Sequence, residues 1–108
     1  MRTRNETARG KVLARVSEEE LLCQLAEECA ELAKAALKVR RARSGENPTT
    51  GTLAQHLTAL GEEWADVDLV LSLVRDKLDR PQLSPDTLEA IQAAKLARWA
   101  DRLERGHA

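Results

Sequence analysis

The sequence predicts an all-α fold, on three observations. Leu and Ala dominate the apolar residues while Phe and Tyr are absent, a composition that suits packed helices better than a sheet. Apolar residues recur at three- and four-residue steps in three long segments, the period of amphipathic helices. Helix-start signals open each segment: Ser17 with Glu20, Thr52 with Gln55, and Ser84-Pro85. A chain of 108 residues holds one domain.

Residues 1–16 carry only Val12, Leu13 and Val16 as apolar anchors among Arg, Asn, Glu, Thr and Gly10, which fits an arm or a short docking helix. Residues 17–108 form a single helical domain. Its first long helix starts in the capping box at Ser17 and carries the stripe Leu22, Leu25, Cys29, Leu32 and Ala36, widened by Ala26, Ala33 and Leu37. It runs to about Arg43, where Ser44-Gly45-Glu46-Asn47-Pro48 supplies a loop. A second helix follows Thr52 with the stripe Leu53, Leu57, Leu60, Trp64, Val67, Leu71, Val74 and Leu78, and runs to Arg80 before Pro81 stops it. Ser84-Pro85 caps a third helix on Leu88, Ile91, Leu96, Trp99 and Leu103, ending near Gly106.

The second helix also places Ala59, Leu69, Val70 and Leu73 outside its main stripe. An element apolar over most of its circumference needs partners on more than one side, and a small chain offers few of its own. A homodimer or homotetramer built around this helix is the expectation.

Lys and Arg total 17 against 18 Asp and Glu, a net charge of −1. A general binder of nucleic acid polymers would carry a basic excess to displace counterions, so any anion recognition is local. No signal-peptide core and no bilayer-length apolar run is present, which predicts a cytoplasmic protein with no membrane partner. Cys23 and Cys29 stand six positions apart on one helix and point away from each other, so they read as reduced core or near-core residues rather than a disulfide or a metal pair.

Acidic pairs carry the chemistry. The first helix holds Glu27-Glu28-Cys29-Ala30-Glu31 and the second holds Glu62-Glu63-Trp64-Ala65-Asp66. Residues three apart share a helix face, so Glu28 projects with Glu31 and Glu63 with Asp66. Glu28 borders an apolar stripe, Glu63 falls inside an apolar arc, and Asp66 falls between Val70 and Leu73. Carboxylates so placed require compensation, and four acids on two helices suit a hard divalent cation such as Mg²⁺. The Glu-x-x-His step of di-iron helical sites is missing, and His56 and His107 do not supply it. Glu18, Glu19 and Glu62 read as solvated surface. Glu27 reads as a residue that orients a neighbouring ligand.

Glu27-Glu28-x-x-Glu31 followed by Glu63-x-x-Asp66 resembles the EExxE and ExxD signature of the MazG-like all-α NTP pyrophosphatases, over most of the chain from about Ser17 to the third helix. The interval between the motifs is longer than the family's, stretched by the loop from Ser44 to Gly51. The resemblance implies a MazG-like helical bundle completed by oligomerisation, with Glu28, Glu31, Glu63 and Asp66 holding Mg²⁺, for which Mn²⁺ can substitute. It implies cleavage of a (d)NTP between the α- and β-phosphates, releasing the monophosphate and pyrophosphate, as in clearance of unwanted nucleotides from the pool. Glu31 and Glu63 are the catalytic candidates, Glu31 as general base.

Phosphates need cations. Lys34 and Lys38 follow Glu31 near its face, and Lys95, Arg98 and Arg102 run along one side of the third helix. Of these, Lys38, Lys95 and Arg98 are the phosphate-binding candidates. Trp64 and Trp99 lie on apolar stripes and read as core rather than as base-stacking residues. Asn47, before a proline, reads as a turn former. The alternative reading is a non-enzymatic helical dimer, a protein interaction module whose acids pair with Lys and Arg between chains.

Overall fold

The computed structural model describes residues 4–46 and 49–106. They form four helices, α1 (Arg4–Arg15), α2 (Glu18–Ser44), α3 (Leu53–Leu78) and α4 (Pro85–Glu104), with a single 3₁₀ turn at Pro81–Leu83. The all-α expectation holds. Asn47 and Pro48 of the predicted loop, His107, and the first three residues lie outside the described residues.

Contacts group the chain into two compact units, Met1–Lys77 and Leu78–Ala108. In the first, α1 occupies Arg4–Arg15. α1 docks on the C-terminal half of α3: the Arg9 guanidinium donates to Ser72 Oγ and to the Ser72 carbonyl, each at 3.1 Å, and pairs with Asp76. One turn further along α1, and just past Asp76 on α3, Lys77 Nζ donates to the Leu13 carbonyl. Contacts that advance together along both helices make α1 and α3 parallel.

Both long helices start where local chemistry says they should. Ser17 Oγ accepts from the Glu20 amide at 3.1 Å. At α3 the capping box is reciprocal, with Thr52 Oγ1 accepting from the Gln55 amide at 3.1 Å and Gln55 Oε1 accepting from the Thr52 amide at 2.9 Å. α2 ends in Gly45 at φ 73°, whose amide donates to the Arg41 carbonyl, the left-handed close that glycine makes without a Cβ penalty. α3 ends at Leu78, two residues before the predicted limit at Arg80, because Asp79 turns into the left-handed region at φ 49°.

The core of the first unit is thin. Leu21 and Ala35 of α2 and Val67, Val70, Leu73 and Val74 of α3 are the buried apolar residues among those described, and no polar or charged residue is fully buried. Several residues assigned to apolar stripes are exposed in this chain, including Leu53, Leu57 and Leu71 of α3, as is Leu69 outside the main stripe. Trp64, expected in the core, is 61 % exposed. Cys23 and Cys29, expected in or near the core, are free and exposed, because α2 offers more apolar circumference than its neighbours in this unit cover.

In the second unit Ser84 Oγ accepts from the Thr87 amide at 3.2 Å, and Thr87 Oγ1 donates back to the Pro81 carbonyl at 2.9 Å, fastening the 3₁₀ turn to the first turn of α4. Pro85 occupies the first helical position, where its missing amide costs nothing. The apolar stripe of α4 is exposed, Trp99 included at 59 %, so this tryptophan too is surface rather than core. No helix among the described residues is long and apolar enough to cross a membrane.

Candidate metal centre

The residues that meet across α2 and α3 run in opposite senses. Glu28 meets Glu63 and Asp66, while the later residues Glu31, Lys34, Ala35 and Lys38 share a cavity with Glu63 and the earlier residues Ala59 and His56. The two helices are therefore antiparallel, with their motifs at the same level.

At that level one carboxylate oxygen each from Glu28, Glu63 and Asp66 lies within 4.8 Å of the other two. The three-residue step puts Glu63 and Asp66 on one face of α3, one above the other, and Glu28 faces them from α2. Glu28 is fixed from its own helix, where Gln24 Nε2 donates to Glu28 Oε1 at 2.7 Å. Gln24 sits one turn before the motif, an i,i+4 relation that is readable in sequence but not singled out there.

Glu28 and Glu63 are half-buried and Asp66 is exposed. The apolar surroundings expected for Glu63 and Asp66 are thus only partial, and what needs compensation is desolvation at Glu63 together with repulsion among the acids. Glu63 registers it. Its carboxyl is raised above the ordinary carboxylate value, first by desolvation, then by the charges of Asp66, Glu28, Glu31 and Glu62.

An oxygen-only donor set of three carboxylates fits a hard divalent cation. Neighbouring ligands of an octahedral Mg²⁺ stand about 3 Å apart and opposite ones about 4.2 Å, so side-chain rotation has to draw the three oxygens, now within 4.8 Å of one another, closer together for all three to coordinate. A bound dication would also remove the repulsion at Glu63.

Glu31 stands outside this group of three. It lies in the adjoining cavity of about 90 Å³ with Lys34, Ala35, Lys38, His56, Ala59 and Glu63, and it pairs with Lys34 at 3.5 Å. Both partners are largely exposed, so the pair adds little stability. Lys38, a phosphate-binding candidate, is brought to the same cavity. Lys95 and Arg98 lie on α4 in the second unit, exposed. Glu27 lines a different concavity of α2 with Glu20, Cys23 and Gln24. His56, set aside as a metal ligand, belongs to the cavity wall.

Comparisons of the chain with family models, curated proteins and solved structures return no match.

Proposed function

We propose that the chain is a MazG-like, Mg²⁺-dependent nucleoside triphosphate pyrophosphohydrolase, converting a (d)NTP to the monophosphate and pyrophosphate. One observation carries this reading: the acids of two separate motifs, Glu28 of one and Glu63 and Asp66 of the other, converge across antiparallel helices. Mg²⁺ bound there would polarise phosphoryl oxygens and lower the pKa of a coordinated water. Mn²⁺ shares the oxygen preference and is expected to substitute.

The chain's own residues supply the rest. Gln24 orients Glu28. Glu31, beside Glu63 and not one of the three converging acids, would accept a proton from an attacking water. Lys38 offers positive charge for the phosphates. Exposed apolar residues on three helices, among them Val12, Leu37, Leu57, Trp64 and Leu71, support assembly as a homodimer or homotetramer. A cytoplasmic location fits a substrate drawn from the nucleotide pool.

The interaction-module reading predicts no need for a cation. A ligand that binds only the native state stabilises it by mass action, by about 2.7 kcal/mol at a hundredfold excess over Kd. The pyrophosphohydrolase reading therefore predicts a melting temperature that rises with millimolar Mg²⁺ or Mn²⁺ at fixed ionic strength and protein concentration. An indifferent melting curve would favour the module.

A further inference from the structure

α2 carries two apolar faces. Leu21 and Ala35 are buried on one, with Leu25 and Leu32 half-buried beside them. A second row, Leu22, Ala26, Cys29, Ala33 and Leu37, falls roughly 140° round the helix from Leu21 and Ala35 at 3.6 residues per turn. Every member of this row is exposed, Leu22 at 46 % and Leu37 at 48 %. No described residue covers it. From Leu22 to Leu37 the row runs about 22 Å at 1.5 Å per residue, a length that one helix can cover along its axis.

Charge is segregated along the same helix. From Glu18 to Glu31 α2 holds six acids and no base, and from Lys34 to Arg43 it holds five bases and no acid. The helix dipole favours acids in the first turn and bases in the last, but it does not set where they stand relative to the exposed row. Glu18 and Glu19 flank the start of that row, one on each side. Arg40 continues its far end, with Arg43 on the flank of Glu18 and Arg41 on the flank of Glu19. None of these five forms an ion pair among the described residues. The spacing adds a further constraint. About the point midway between Cys29 and Ala30, Leu22 mirrors Leu37, Ala26 mirrors Ala33, Glu19 mirrors Arg40 and Glu18 mirrors Arg41. Apolar answers apolar and acid answers base, the self-complementarity of a twofold contact in which one patch serves both copies.

We propose that this face of α2 receives a second copy of the chain, the two α2 helices lying antiparallel about a twofold axis at the level between Cys29 and Ala30. Leu22 and the partner's Leu37 then cover each other at both ends. The small side chains of Ala26, Cys29 and Ala33 let the helix axes approach to about 8–10 Å. Glu18 and Glu19 meet Arg40, Arg41 and Arg43 of the partner subunit, whereas a parallel pairing would set like charge against like. The interface is separate from the exposed apolar residues of α3. Glu28, which meets Glu63 and Asp66, lies roughly 140° round α2 from the row, so both metal centres face away from the contact. The pairing does not depend on the pyrophosphohydrolase reading.

The two free, exposed cysteines report the register. Cys29 and the partner's Cys29 share a flank and differ by one residue in level, within reach of a disulfide at that axial separation. The partner's Cys23 stands about 20 Å along the axis from Cys23. The test is sedimentation equilibrium of the full chain under reducing conditions, with Glu19→Arg, Arg40→Glu and the double variant, and diamide oxidation of the wild type, Cys23→Ser and Cys29→Ser. We expect a dimer whose dissociation constant rises on the order of tenfold with either single reversal, because each change occurs twice in a twofold contact, and returns close to the wild-type value in the double variant. Diamide should link the wild type and Cys23→Ser but not Cys29→Ser. Equal helical circular dichroism across the set shows that the fold is intact. A monomer, reversals without effect or without rescue, or a cross-link that is absent or survives Cys29→Ser would each overturn the pairing. No arm reads turnover, so failure of the enzymatic reading leaves the result standing.

Discussion

Glu63→Gln should abolish the response of the protein to Mg²⁺ while making the metal-free protein more stable. The carboxyl of Glu63 is raised by desolvation and by its acidic neighbours, so its ionised form is favoured less in the fold than in the unfolded chain. For a group with a raised folded pKa, the fold suffers nothing below the ordinary carboxylate value and loses stability as pH rises through the raised one. At neutral pH the metal-free wild type therefore bears a penalty that the neutral glutamine lacks. Melting curves against pH, without divalent cation, should separate wild type from variant above the carboxylate range and converge below it. With Mg²⁺ the order reverses, since only the wild type keeps the full ligand set. Turnover of a triphosphate should fall by roughly 100-fold or more, at least the loss seen when a partner of a metal ligand is removed. A variant that melts like the wild type in both conditions would show that Glu63 is ordinary surface charge.

Leu73→Ala should be among the most damaging changes outside the acidic cluster. Leu73 is 6 % exposed and belongs to a core of only a few aliphatic side chains on α2 and α3. Truncating a buried leucine costs about 2–5 kcal/mol, against about 5–15 kcal/mol for a whole domain. The loss should appear as a lower urea midpoint with an unchanged slope, at a matched protein concentration so that any assembly equilibrium is held constant. Leu57→Ala is the contrast: at 49 % exposed it should cost far less in an isolated chain, and as much as Leu73→Ala only where a second copy covers it.

What the sequence made legible is what local chemistry decides. Ser17, Thr52 and Ser84 cap because the side chain and the amide it serves are three residues apart. The face shared by Glu63 and Asp66 follows from helical spacing alone. Register between helices does not. One turn of helix rises about 5.4 Å, so whether Glu31 joins Glu28 in facing Asp66, or stands a turn away in the next cavity, is set by how α2 and α3 slide along each other. Gln24 was within reach of an i,i+4 reading. The place of His56 in the cavity wall was not, because it comes from the Thr50-Gly51 turn and not from spacing to another residue of the site. Trp64 and Cys29 lie on apolar stripes and yet are exposed for a related reason: an apolar stripe states which face seeks cover but not whether the same chain covers it.

The most direct test of the central claim is product analysis after incubation of the protein with a panel of (d)NTPs and Mg²⁺, beside Glu63→Gln. The account predicts nucleoside monophosphate and pyrophosphate in equal amounts, dependent on the metal and lost in the variant. Nucleoside diphosphate and phosphate instead would place the cut at the wrong bond, and no turnover of any nucleotide by the wild type would contradict the account outright.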